Sequence, residues 1–305
     1  MTRQSPAAAL PMRLGVSASV VSVPSEVPPN TLVLDFLVER MPGISRQEWA
    51  ERLQQGLVLH DSGQAAAPEQ VCQPGQRLHY YRHLADEPTL PVQARVVFED
   101  DHLLVADKPH FMPVTPSGRY VQQSLLVQLK RLTGCAELVP LHRIDRETAG
   151  LVLFGKRWAE RDAYHALFRD KNIRKLYHAV AAWRADLKWP CVHLSRLVPG
   201  EPFFTSHEVA GTANSETHIQ LLAQKGTRAL YQLEPVTGKR HQLRVHMMSL
   251  GMPIEGDQFY PHVVRGPHEA EDYSQPLQLL AHSVQFTDPH TGQARVFQSQ
   301  FELRL

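Results

Sequence analysis

The sequence predicts an α+β chain: a mixed, mainly antiparallel sheet with peripheral helices, preceded by a small α+β domain. Three observations carry that expectation. Strand-like runs dominate from about residue 94 onward, with helical patterns scattered among them. Residues 31–85 carry a helix–helix–strand–strand pattern of their own. Between the two, 86–93 hold Asp86, Glu87, Pro88 and Pro91, the composition of a linker. At 305 residues the chain has room for one large and one small domain. The expected division is a flexible segment at 1–30, a small domain at 31–85, a linker at 86–93 and a large domain at 94–305.

In chain order, residues 1–30 are rich in Ser, Pro, Ala and Val and end in Pro28-Pro29-Asn30. They read as a flexible lead or as an irregular strand laid on a neighbour. Leu32, Leu34, Phe36 and Leu37 open a helical pattern that stops at Met41-Pro42-Gly43. Ser45 stands three residues before Glu48, a capping-box spacing, and opens a second helix with Trp49 and Leu53 inward. Leu57 to His60 and Leu78 to Tyr81 read as strands separated by turn residues. In the large domain, Val96 to Glu99 and Leu103 to Ala106 form a hairpin-like pair through Asp100-Asp101. Helices are expected from Gln123 to about Arg131, from Trp158 to about Phe168 and over about 239–249. Strands are expected at Leu151 to Phe154, Arg174 to Val180 and near 192, 218, 230 and 280. The stretch 261–275, with Pro261, Pro267 and three acids, reads as a surface loop or insertion.

Composition limits the partners. A hydrophobic content of 43% and a charged content of 21% are ordinary for a soluble globular protein. The net charge of +1 lacks the whole-chain basic excess that most simply marks a nucleic-acid binder. Cys72, Cys135 and Cys191 are far apart and form no Cys-x-x-Cys pair, so they point to neither a disulfide framework nor a metal site. No stretch approaches the roughly 18 to 20 apolar residues that cross a bilayer, and Pro11 and Arg13 interrupt the only candidate signal core. The expectation is a cytoplasmic monomer with no membrane partner.

One segment stands apart: His142-Arg143-Ile144-Asp145-Arg146-Glu147-Thr148-Ala149-Gly150-Leu151. It places an acid between two arginines in a Gly-bearing turn that runs into an apolar strand. A lone turn Asp usually caps local backbone. Here the whole segment resembles the signature of the RluA-type pseudouridine synthases, His-Arg-Leu-Asp-x-x-Thr-Ser-Gly-Leu. Ile144 and Ala149 are the departures, and both stay small or apolar. Two further stretches match in order. Thr237-Gly238-Lys239-Arg240-His241-Gln242-Leu243-Arg244-Val245-His246 resembles the family's Thr-Gly-Arg-Thr-His-Gln-Ile-Arg-Val-His motif, and Lys175-Leu176-Tyr177-His178-Ala179-Val180 its Lys-x-Tyr-x-Ala-x-Val strand. Asp107-Lys108-Pro109 and Leu280-Ala281-His282 match flanking segments and read as mainly structural. The resemblance covers nearly all of 31–305. Residues 31–85 are similar to a small RNA-binding domain first known from a ribosomal protein.

The resemblance implies a chemistry that needs no cofactor and no metal. A C–N glycosidic bond is broken and remade as C–C. Asp145 is then the catalytic carboxylate, Arg244 its partner, and Tyr177 the ring that stacks on the flipped uracil. Independently of the family, Leu243, Met247 and Leu250 recur at helical spacing and face a core. Arg244 sits about 100° round from Leu243, where a guanidinium can meet a carboxylate with two parallel hydrogen bonds. Lys175 and Tyr177 share one face of a strand.

The implied partner is RNA, ribosomal or transfer, with ribosomal favoured by the N-terminal unit. Arg143, Arg146, Lys175, Arg240 and His241 are the expected RNA contacts around the site, and Arg40, Arg46 and Arg52 those of the small domain. Residues 143–175 hold nine basic side chains against five acids, so the basic bias is local. Two other classes remain. An RNA-binding or RNA-folding protein on the same fold would tolerate loss of Asp145, Arg244 or Tyr177, and all three are present. A hydrolase would need a second acid, and only Glu147 is close in sequence, expected to point away.

Overall fold

The structure, a computed structural model, describes residues 10–82, 87–264, 266, 269 and 271–305. Part of the expected lead (1–9), the first linker residue (86) and part of the 261–275 loop (265, 267, 268 and 270) lie outside the described residues. The chain divides into two compact units. The first holds residues 1–87, 118–122 and 127–136; the second holds 88–117, 123–126 and 137–305. Among the described residues, no helix is long and apolar enough to cross a membrane.

The first unit contains β1 (Ser19–Ser22), α1 (Val33–Arg40), α2 (Arg46–Gln54), β2 (Val58–His60) and β3 (Arg77–Tyr80). Its sheet runs β1-β3-β2, all antiparallel. Of the two readings of 1–30, Ser19–Ser22 take the strand rather than the flexible lead: they pair with β3 over four residues. Ser45 caps α2 by accepting from the Glu48 N–H at 3.2 Å. Only half of the expected capping box forms, because the Glu48 carboxylate turns to Arg52. That contact also corrects the expected RNA role of Arg52. Its side chain is buried, paired with Glu48 and laid over the Trp49 ring. Arg46 is exposed but paired with Asp35, and Arg40 is exposed at the end of α1. Trp49, Val33, Leu37, Val58 and Leu78 fill the core with no exposure. Each such side chain contributes roughly 1.5–3 kcal/mol by leaving water.

The second unit contains β4 (Arg95–Glu99), β5 (Leu103–Lys108), β6 (Val139–Pro140) and β7 (Ala149–Gly155); α3 (Leu125–Thr133) belongs from residue 127 onward to the first unit. A 3-10 turn leads into α4 (Arg161–Arg169). Next come β8 (Ile173–Ala182), β9 (Cys191–Pro199), β10 (Ser206–Val209), β11 (Ser215–Lys225) and β12 (Arg228–Pro235). Helix α5 (Gln242–Ser249) precedes β13 (Leu279–Thr287) and β14 (Ala294–Gln298). Among the described residues these strands form one eleven-stranded sheet, ordered β10-β9-β11-β12-β8-β13-β7-β5-β4, with β14 on β13 and β6 on β7. Its pairings are antiparallel except β13 with β7. The expected mixed, mainly antiparallel α+β sheet is what forms.

Periodicity explains the layers. β12 alternates buried and half-buried residues, so Ala229, Tyr231 and Leu233 share one face. Leu243 and Met247 of α5 pack on that face with Ile219 and Ala179. β7 (AGLVLFG) is buried along its whole length, the composition of a strand covered on both faces. Tyr164 and Leu167 of α4 pack with Leu151 and Leu153 of β7. The helix expected from about 239 starts at Gln242, because His241 adopts a left-handed backbone (φ 56°) that no helix continues through. The short strands β10 and β14 lacked an apolar alternation long enough to be anticipated.

Candidate active site

Register places the key side chains together. Gly150 of β7 lies beside Ala281 of β13, which lies beside Tyr177 of β8. A Cβ on Gly150 would stand 2.3 Å from the Ala281 carbonyl oxygen, and its φ is +113°, so only glycine lets the strands approach this closely. The 145–148 turn, just ahead of β7, is thereby carried to the mouth of the β8–β13 pair.

That turn is held by its carbonyls. The Asp145 carbonyl accepts from the Thr148 N–H at 3.2 Å. The Arg146 carbonyl accepts from Lys108 Nζ at 3.1 Å, and Lys108 also donates to the Pro109 carbonyl. The Glu147 carbonyl accepts from His110 Nδ1 at 2.7 Å. Burial pushes the Lys108 ammonium down to about 7, with the Glu147 and Asp145 carboxylates acting the other way. Burial also pushes His110 down to about 4, leaving it a neutral donor. From sequence Lys108 reads as mainly structural, and His110 joins it in the structure. Their contacts show that they fix the turn that carries Asp145.

Arg244 sits at the centre of a carboxylate cluster. Its Nε and Nη2 donate to Asp257 at 2.8 and 2.7 Å. Its Nη1 lies 3.5 Å from Asp145 Oδ2 and 3.6 Å from Glu147 Oε2. Arg244 therefore does reach Asp145, but the expected two-bond pairing is made with Asp257 instead. The bidentate pair is fully buried, and the rings of Phe259 and Tyr260 pack against the guanidinium at 4.9 and 5.4 Å. Burial alone would lower the Arg244 pKa; Asp257, Asp145 and Glu147 more than reverse this, and it stays a fixed cation.

Exposure separates the acids. The Asp145 side chain is 26% exposed, against 10% for Glu147, 1% for Asp257 and 2% for Glu271. Only Asp145 among these four opens usefully to the cleft of about 520 Å³ that Arg143, Lys175, Tyr177, Lys239, His241 and Arg244 line. Glu147 was expected to point away; it shares Arg244 with Asp145 instead. Burial pushes the Glu147 carboxyl up, but Arg146 and Arg244 outweigh burial and hold it below its ordinary value.

The remaining candidates divide. Tyr177 lines the cleft half-buried, and burial together with the Asp145 charge raises its hydroxyl pKa, so the phenol stays protonated. Arg143 is exposed at the cleft, and Lys175 lines it half-buried. Three expected RNA contacts are committed elsewhere. Arg146 is held by Glu147 and, through two contacts, by Glu271 of the 261–275 loop. Arg240 donates to the Phe203 and Thr205 carbonyls at 2.6 and 2.7 Å. His241 is nearly buried, with Nε2 3.9 Å from Asp145 and Nδ1 2.9 Å from the Tyr260 hydroxyl. Asp257 was missed. Nothing in spacing distinguishes it from Glu255, which pairs with Arg228.

Comparison with known proteins bears on this geometry. The family described as RNA pseudouridylate synthase matches residues 102–249. An uncharacterized RNA pseudouridine synthase of Synechocystis sp. is 33% identical over 231 residues, covering 75% of this chain and 79% of that protein. The dual-specificity RNA pseudouridine synthase RluA of Haemophilus influenzae is 31% identical over 219 residues, covering 70% of this chain and 95% of that protein. The solved structure of human RNA pseudouridylate synthase domain containing 1 is similar in fold, with a TM-score of 0.57 at 18% identity over 71% of this chain and 86% of that one.

Proposed function

Because this chain belongs to the RluA-type family of RNA pseudouridine synthases, which are isomerases, we propose that it converts uridine to pseudouridine in structured RNA with Asp145 as the catalytic carboxylate. The observation that carries the assignment is the exposure of Asp145 to the cleft while its neighbours are shut in. The target uridine leaves its stack and enters the cleft, at a cost of a few kcal/mol of unstacking. Tyr177 offers the ring on which the uracil lies. The C1′–N1 bond breaks, the base turns, and C1′ joins C5. The proton leaves C5 and N1 carries one in the product. Asp145 acts at the nucleoside to start this sequence.

Arg244 is the positioning group. Asp257 fixes its plane, so Nη1 is presented to Asp145 without side-chain freedom. Arg143 and Lys175 meet phosphates beside the target. A hydrolase of the two-carboxylate kind would need a protonated partner acid. Glu147, held ionised by two arginines, does not suit that role.

We take ribosomal RNA as the substrate, on the resemblance of residues 31–85 to a small RNA-binding domain first known from a ribosomal protein, where Arg40 and Arg46 are exposed. The test treats unmodified ribosomal and transfer RNA transcripts with the protein and maps carbodiimide-stable adducts by primer extension. Stops in ribosomal RNA are expected. Stops in transfer RNA alone would overturn the substrate assignment and keep the activity.

A further inference from the structure

Phe203 is 77% exposed, more than any other large apolar side chain of the described residues. It stands on the turn between β9 and β10, and that turn is pinned. Arg240 donates to the carbonyls on either side of Phe204, those of Phe203 and Thr205. The Gly200 N–H donates to the Thr205 carbonyl at 3.1 Å, and the Thr205 hydroxyl donates to the Pro202 carbonyl at 2.8 Å. A phenyl ring presented to water on a fixed turn forgoes the stabilisation that burial would give it.

Its surroundings say what fits there. Phe203 borders a hollow of about 320 Å³, together with Leu197, Pro199, Ser206, Lys239 and Arg240. Lys239 and Arg240 line the active-site cleft as well, so the two cavities adjoin across these residues. Lys239 is exposed between them. A line of rings also joins them. Phe203 meets Phe204 edge-on at 5.6 Å, Phe204 meets Phe259 at 5.2 Å, and Phe259 packs on the Arg244 guanidinium at 4.9 Å. The turn is thus braced on the residue that contacts Asp145.

We propose that Phe203 is a stacking platform for an unpaired nucleotide that flanks the target uridine, with Lys239 meeting the phosphate between the two. An aromatic face beside a cation is how single strands are held without sequence readout. Every base has a π-face, so the subsite selects for an unstacked neighbour rather than for one base. This inference rests on the RNA-modifying reading for its substrate.

The test uses the full chain and a single-stranded oligouridylate carrying one 4-thiouridine. Irradiation is expected to attach the thiouridine to a peptide containing Phe203. Phe203→Leu is expected to weaken binding by about 5- to 150-fold and to lower that adduct, while Phe203→Trp keeps both near the native level. Neither readout depends on turnover. A protein that crosslinks at Phe203 yet makes no pseudouridine in any RNA would therefore sink the synthase reading alone. Crosslinks confined to other peptides, with binding by Phe203→Leu within about twofold of native, would overturn the subsite. If Phe203→Leu instead dissolved a dimer in sedimentation, the patch would belong to a second copy and the proposal would fail.

Discussion

Arg244 shows how one residue joins stability to chemistry. A buried guanidinium is tolerable only with compensating carboxylates, and Asp257 supplies the bidentate one. Replacing Asp257 by Asn leaves a buried cation short of its partner. The expected cost is about 3–5 kcal/mol, read as a lower denaturant midpoint, with a fall in turnover as Arg244 loses its fixed plane. A loss under about 1 kcal/mol would show that Asp145 and Glu147 suffice. That Asp145 would face a cleft was legible, because an acid in that turn motif has few readings once the flanking residues agree. Asp257 was not legible as the partner. Two acids stand close together in Glu255-Gly256-Asp257, and only the fold decides which one faces inward.

At the scale of elements, β5 and the 145–148 turn work as one piece. Lys108 and His110 follow one another at the end of β5 and hold two successive carbonyls of the turn. Lys108→Met removes one hold from the turn. We expect kcat to fall about 10- to 100-fold with KM little changed, measured under single-turnover and steady-state conditions. Equal rates would mean that Gly150 and the strand register alone fix the turn.

Partly buried histidines in and beside the sheet set the acid limit. Burial holds His110 and His178 at about 4 and His142 at about 3, against 6.5 for an open imidazole. Lys108 next to His110, Lys175 facing His142 and His282 stacked on His178 add to the depression. The native form needs them neutral. Their stabilising effect is complete above about pH 6.5 and is lost as pH falls toward 4. Denaturant midpoints should therefore drop steadily between about pH 7 and pH 5, and midpoints flat across that window would contradict the assignment. Most strands and helices were legible from apolar alternation and helical spacing. The exceptions have physical causes: β10 is a four-residue strand of mostly polar side chains, and α5 starts late because of one left-handed residue.

The whole molecule is nearly neutral, yet the cleft rim is basic. A net charge of +1 hid the local bias because 31 acids offset 32 Lys and Arg over the whole chain, and Arg52, Arg146 and Arg244 are spent on carboxylates of their own. Exposed Arg143 remains at the cleft. If it meets a phosphate, Arg143→Ala should reduce the slope of log Kd against log salt by about 1 and weaken binding evenly across RNA sequences. An unchanged slope would place Arg143 off the backbone path. Composition gave no sign that 118–122 and 127–136 group with the first unit. The side chains that close the site were not legible either, since they come from residues far apart in sequence.

The central claim is that Asp145 drives uridine isomerisation in this cleft. The most direct measurement is tritium release from C5-labelled uridine in unmodified cellular RNA, comparing the native protein with Asp145→Asn. The account expects release by the native protein and none above background from Asp145→Asn, with both proteins folded. Equal release from the two would contradict it, because another group would then be starting the reaction.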